Sequence, residues 1–237
     1  MIVNRDVLLC FLKKHSISGD FANDELILNI RKDKIEILTV SNGKHVVING
    51  QLKGVFEDIG EIALDKVSNL ISLISNFSSK EISISKKDNK LIIESDEDKT
   101  KATFTLKNPE YILNKISGSK LKELLDKASE NKVTLSKEIV LKIISTANAV
   151  KADNISLKLK EKSLVIEVDN GSQSIETYFE LKEIAKPVSL KLNKAIVDIF
   201  KLLEEESTLS VNVDSPVLLT VTNKAFHIHY IVATLKK

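Results

Sequence analysis

Polar and apolar positions change period repeatedly along this chain. Alternation with period two marks strands at residues 26–30 (LILNI), 34–40 (KIEILTV), 45–52 (HVVINGQL), 81–85, 90–95 and 102–106. The same order returns at 154–160 (NISLKLK), 162–168 (KSLVIEV), 174–181 (SIETYFEL), 208–213, 217–221 and 225–235. Four segments with helical spacing separate these groups, and they open alike. Each has an apolar residue (Val3, Leu64, Leu135, Leu192), then a capping type (Asn4, Asp65, Ser136, Asn193), then a base (Arg5, Lys66, Lys137, Lys194). A capping side chain accepts a free N–H of the first turn, so each run predicts a helix of about 10–14 residues with one apolar face.

The pattern is a duplication. KIEILTVSNG at 34–43 returns as KSLVIEVDNG at 162–171, 128 positions later, and Leu64-Asp65-Lys66 returns as Leu192-Asn193-Lys194 at the same spacing. The expected fold class is α+β, with two similar domains, each of two strand–helix–strand–strand–strand units. The domains are expected at 1–107 and 132–237, joined by a connector at 108–131 in which Pro109 ends a strand, Gly118-Ser119 turns and 120–128 forms a short surface helix.

Composition narrows the class. The 237 residues suffice for two small cores, and 43% hydrophobic with 29% charged residues is a globular balance. Apolar runs are too short to span a bilayer, and MIVNRD lacks the layout of a signal peptide. With Cys10 as the one cysteine, a cytoplasmic chain without membrane partners is expected. The net charge of +2 says nothing of nucleic acid unless the charges are segregated.

A base at a helix start opposes the helix dipole. Its repetition leaves two readings: four exposed first turns, or four helices lining one surface that faces a polyanion. Lys13, Lys14, Lys142, Lys151 and Lys201 would add to that surface, which would hold phosphates without reading bases.

The duplication, the four short helices and the strand count resemble the DNA sliding clamps, a family that includes proliferating cell nuclear antigen and the clamps of tailed phages. The turn TVSNGKHVVI at 39–48, SPVLLTV at 215–221, the closing HYIVATLKK at 229–237 and the phage-like LKEKSLVIEVDN at 159–170 carry the local likeness. The resemblance implies a head-to-tail ring, a homotrimer, with helices lining a central hole and sheets outside. It implies duplex DNA as a sequence-independent partner, a clamp-loader ATPase that opens the ring, and a DNA polymerase tethered for replication. It implies no catalysis and no cofactor. It puts a partner-peptide pocket at Val40, His45, Val46, Tyr111, Ile112, Pro216, Tyr230 and Val232, and subunit contacts at Ile175 and Tyr178 with Phe104 opposite, unless these face the core. Near-neutral charge departs from the acidic clamps of that family.

Two other classes stay open: a monomeric or dimeric processivity factor gripping DNA by direct charge contacts, and a β-rich structural assembly protein that binds no DNA. His227 and His229 share a strand face, but with only His15 and His45 besides them they predict no metal centre. Cys10 reads as a small helix residue. The acidic runs 95–98 and 204–206 read as a turn and a helix end.

Overall fold

The computed structural model describes residues 1–18, 22–128, 131–152, 154–182, 185–193, 195–203, 206–213 and 215–235. The elements follow the duplicated order. The first unit is β1 (Ile2–Asn4), α1 (Arg5–Lys14), β2 (Leu26–Ile30), β3 (Lys34–Val40) and β4 (Val46–Lys53). The second is β5 (Gly60–Leu64), α2 (Val67–Ser75), β6 (Glu81–Lys87), β7 (Lys90–Ser95) and β8 (Thr100–Thr105). A connector carrying α3 (Gly118–Ala128) leads to the third: β9 (Asn131–Leu135), α4 (Lys137–Ala149), β10 (Asn154–Lys160), β11 (Ser163–Asp169) and β12 (Ser174–Glu180). The fourth is β13 (Val188–Asn193), α5 (Ala195–Lys201), β14 (Ser207–Val211), β15 (Val217–Thr222) and β16 (Phe226–Val232).

The expected strand–helix–strand–strand–strand units are thus present, and each leading strand joins the sheet of its sister unit. β1 pairs with β6 and β5 with β2, while β9 pairs with β14 and β13 with β10, all antiparallel. The result is two four-stranded sheets, β1-β6-β7-β8 and β12-β11-β10-β13, and one eight-stranded sheet, β5-β2-β3-β4-β16-β15-β14-β9. The eight-stranded sheet crosses from one half of the chain to the other through β4 and β16, in register from Phe226↔Leu52 to Val232↔Val46.

Alternation decides which side of each strand meets the core. Ile35 and Ile37, Val46 and Ile48, Ile228 and Tyr230, Val217 and Leu219 all point inward and are fully buried. Over the β4–β16 junction sits the end of α1. The Tyr230 hydroxyl donates to the Lys14 carbonyl (3.0 Å), and the Phe11 and Phe226 rings meet at 6.0 Å. His15 is fully buried there, and Nδ1–H donates to the Phe11 carbonyl (2.7 Å). Its Nε2 edge fits only because residue 50 is glycine: a Cβ at Gly50 would lie 2.1 Å from that nitrogen.

Two helix starts behave as their caps predict. Asn4 accepts the Val7 N–H (3.1 Å) and Ser136 accepts the Ile139 N–H (3.3 Å). The start of α2 does not. Lys66, not Asp65, holds the cap position and makes no side-chain cap. The carboxylate of Asp24 reaches in instead, accepting the N–H (3.0 Å) and hydroxyl (3.2 Å) of Ser68. The helices also run shorter than expected at two places: α2 has 9 residues and α5 has 7.

Candidate nucleic-acid face and partner grooves

The four unit helices form one row. α1 packs on α2, α4 packs on α5, and α1 and α5 flank a cleft lined by Leu9, Cys10, Lys13 and Lys201. Lys13, Lys66, Lys137, Lys142 and Lys151 are exposed, and no carboxylate holds them in an ion pair among the described residues. Lys201 is also exposed, bridged to Asp198 at 2.9 Å. Lys194 lies outside the described residues.

Two expected members of this face are turned elsewhere. Arg5 binds its neighbour Asp6 (2.7 Å) and donates to the Phe77 carbonyl beyond α2, which leaves its side chain 20% exposed. Lys14 is buried and donates Nζ to the Leu202 carbonyl (2.8 Å). Both satisfy carbonyls left open after a helix end, so they fasten helices rather than face solvent.

The opposite side of the eight-stranded sheet carries α3. Leu121, Leu124, Leu125 and Ala128 pack on Val40, Val47, Leu218 and Ile231. These positions point away from the core and would be polar on a sheet face left to water. The connector is tied down as well: Glu25 pairs with Lys107 (2.7 Å) and accepts the Leu113 N–H (3.1 Å). α3 leaves a groove of about 360 Å³ on each side. One runs over the first half, between Ile116 and Leu121 and the sheet positions Ile27, Asn29, Leu38 and Val40. Among the described residues the buried Asn29 Oδ1 in its wall has no hydrogen-bond partner, and Glu36 and Glu61 line the same groove. The other groove runs over the second half, with Leu125, Leu218, Thr220, His227 and His229.

The expected partner pocket is corrected at three residues. Val46, Tyr230 and Val232 are fully buried on the core side and cannot line an outer groove. Val40 is on the outer side, 5% exposed beneath α3. Ile112 is buried, Tyr111 is exposed, and His45 and Pro216 are half-buried. None of the last four lines either groove beside α3. Ile27, Asn29 and Leu121 escaped the sequence reading, although the apolar outer positions Leu38, Val40 and Val47 signal a covering element.

The small sheets end at β1 and β8 and at β12 and β13, and β8 and β12 are the last strands of their units. Phe104 faces the core opposite Leu91 and is 8% exposed, so it closes the core rather than offering itself to a partner. Ile175 and Tyr178 are exposed, but they stand on opposite faces of β12. Glu176 hydrogen-bonds the Tyr178 hydroxyl and raises the phenol above its ordinary value. β12 carries Glu176 and Glu180, whereas β8 carries Lys101 and is preceded by Lys99.

No protein-family model matches the chain, and no curated protein matches it in sequence. Solved structures do match. A candidate DNA polymerase III beta subunit from Eubacterium rectale superposes with a TM-score of 0.78 at 16% identity, covering 100% of this chain and 65% of that one. The chain has the sliding-clamp fold. Proliferating cellular nuclear antigen from Entamoeba histolytica gives 0.78 at 13% identity over 98% of this chain and 96% of its own. The A. fulgidus PCNA, solved with the C-terminal region of FEN-1 bound, gives 0.77 at 14% over 100% and 98%. The chain thus spans 65% of the beta subunit's length and nearly all of either nuclear antigen.

Proposed function

We propose that this chain is a sliding clamp. Three copies close head to tail around duplex DNA and tether a DNA polymerase for processive replication, without catalysis of their own. The observation that carries this reading is the row of four unit helices with its exposed lysines, set in a clamp fold whose other helix, α3, stands on the opposite side of the sheet. Such a row meets phosphates from any sequence, and the ring rather than the contact energy keeps it on DNA.

Each half, 1–107 and 132–237, acts as one clamp domain. The nuclear-antigen length supports three chains per ring, six domains in all. The basic edge at β8 and the acidic edge at β12 support a head-to-tail junction. The grooves beside α3 suit an extended partner segment: apolar floors take side chains, and Asn29 Oδ1 takes an N–H. A clamp-loader ATPase opens the ring, and the assembly works in the cytoplasm, of a host cell if the chain is viral.

Light scattering and DNA loading test this together. Three times 26.4 kDa is about 79 kDa, and that mass is expected at all concentrations tested. Loaded rings should stay on circular DNA and leave once it is cut. Reversing Lys13, Lys66, Lys137 and Lys142 to glutamate should leave the trimer intact and lower processive synthesis at least tenfold. A single-chain mass with salt-sensitive binding to linear DNA would replace the ring by the direct-contact processivity factor. Unchanged synthesis by the quadruple variant would remove the helix row from the DNA path.

A further inference from the structure

The outer face of β16 holds a pair of imidazoles in the wall of the second groove beside α3. His227 and His229 leave the same side of the strand, with Nε2 atoms 2.8 Å apart and rings crossing at 89°. The neighbouring strand holds both Nδ1 atoms: Thr220 Oγ1 lies 3.0 Å from that of His229, and Thr222 Oγ1 bonds that of His227. With neutral rings the four groups form one directed chain, closed by a single proton between the two Nε2 atoms. If both rings carry their protons on Nδ1 and donate to the threonines, two lone pairs face each other and only a cation satisfies both.

We propose that His227 and His229 form a two-nitrogen site for a divalent transition metal of tetragonal preference, Cu(II) ahead of Ni(II), with water in the other positions. Metal–imidazole bonds run about 2.0–2.1 Å, so ligands at a right angle stand about 2.9 Å apart and tetrahedral ones about 3.4 Å. Right-angle ligands fit the 2.8 Å spacing set by the N–H···N bond with the least movement of the rings, which favours Cu(II) or Ni(II), and copper leads in intrinsic affinity. The two threonines act as the outer acceptors that fix the tautomer and aim of a metal-bound histidine. No net proton is released: the one between the rings moves to its own Nδ1, and the threonine that had donated there accepts. The site opens into the groove between α3 and β14–β16. Among the described residues no group of three or more His, Cys, Asp or Glu side chains is placed to hold a metal, so the two nitrogens supply the affinity, against the positive charge of Lys53 beside His227 and Lys132 beside His229.

The test uses untagged, chelator-dialysed protein titrated with Cu(II), Ni(II) and Zn(II), with electron paramagnetic resonance on the copper form. One copper per chain, coupled to two nitrogens, is expected, with zinc at least tenfold weaker. His227→Asn or His229→Asn should leave one coupled nitrogen and weaken copper at least tenfold. Thr220→Val keeps both imidazoles, so it should weaken copper while preserving the two-nitrogen spectrum. Copper binding that survives unchanged in the double variant, a native spectrum without two nitrogens, or zinc bound as tightly as copper overturns the site.

Discussion

His15 makes the fold acid-sensitive by an amount that follows from its surroundings. The ring is fully buried at the end of α1, against Phe11 at 4.5 Å and over Gly50. Nδ1–H is used on the Phe11 carbonyl, and among the described residues Nε2 has no partner. Burial disfavours the imidazolium and pushes the group down from 6.5 to about 4, and the Phe11 carbonyl offsets this only in part. The unfolded chain therefore takes up a proton that the folded chain refuses as pH falls from 6.5. Stability drops through that window and levels below about 4. At about 1.4 kcal/mol per pH unit, the interval amounts to about 3 kcal/mol.

His15→Asn keeps an N–H near the Phe11 carbonyl and removes the proton-binding nitrogen. The variant begins less stable at pH 7.5, because it leaves space above Gly50. Urea unfolding at fixed protein concentration, stepped from pH 7.5 to 4, should show the native chain losing about 3 kcal/mol more than the variant. Burial also lowers His227 and His229, but both remain in each protein and cancel in the difference. Parallel pH profiles, or an imidazole resonance of His15 titrating near 6.5, would refute the reasoning.

Two further outcomes follow from single contacts. Gly50→Ala drives a methyl to 2.1 Å from His15 Nε2 and 3.2 Å from the Phe11 ring; overpacking there should cost about 1–3 kcal/mol in urea unfolding. Asp98 accepts the N–H groups of Ser78 (2.8 Å) and Ser79 (2.9 Å) and the Ser78 hydroxyl (2.7 Å), which hold its carboxyl down to about 2. Its contribution is full above the ordinary carboxylate range and is lost as pH falls from there through about 2, so Asp98→Asn should remove that acid step from melting curves taken between pH 5 and 2.

Much of the fold was legible because the duplication repeats its signals. The 128-residue spacing and the helix starts located the units. The leading strands β1, β5, β9 and β13 are expected from the unit order but cannot be bounded in the sequence, since three to six residues are too few to show alternation, and their pairing is with the sister unit rather than the next strand. The cap of α2 was misplaced for a related reason: its carboxylate comes from Asp24, far away in sequence. Arg5 and Lys14 look like surface charges in the sequence because their carbonyl partners, on Phe77 and Leu202, are chosen by helix packing. Val46, Tyr230 and Val232 fall on the core side by parity. Neighbours such as Val46 and Val47 are equally apolar, yet one faces the core and the other faces α3.

The strand order also says how copies of the chain should meet. The last strand of each unit lies where its sheet can be extended. β4 and β16, the last strands of the first and fourth units, pair antiparallel within the chain over seven residues. β8 and β12, the last strands of the second and third, stand at sheet ends. β1 and β9 also end sheets, while two further edges are partly covered: Lys107 bridges to β5 at Ala63, and the C-terminal segment bridges to β13 at Leu192. A bare edge pairs readily with another chain, so an antiparallel β8–β12 junction would repeat between chains the join that β4–β16 makes inside one. The glutamates of β12 and the lysines at β8, of which Lys101 also bridges Glu94 (2.6 Å), would give that junction its direction. Glu176→Lys with Glu180→Lys should turn the proposed trimer into single chains of 26.4 kDa, and Lys99→Glu with Lys101→Glu added in the same chain should restore it. A trimer untouched by the first pair would place the subunit contact elsewhere. Loss that the second pair cannot rescue would leave strand pairing, without charge, as the source of the junction.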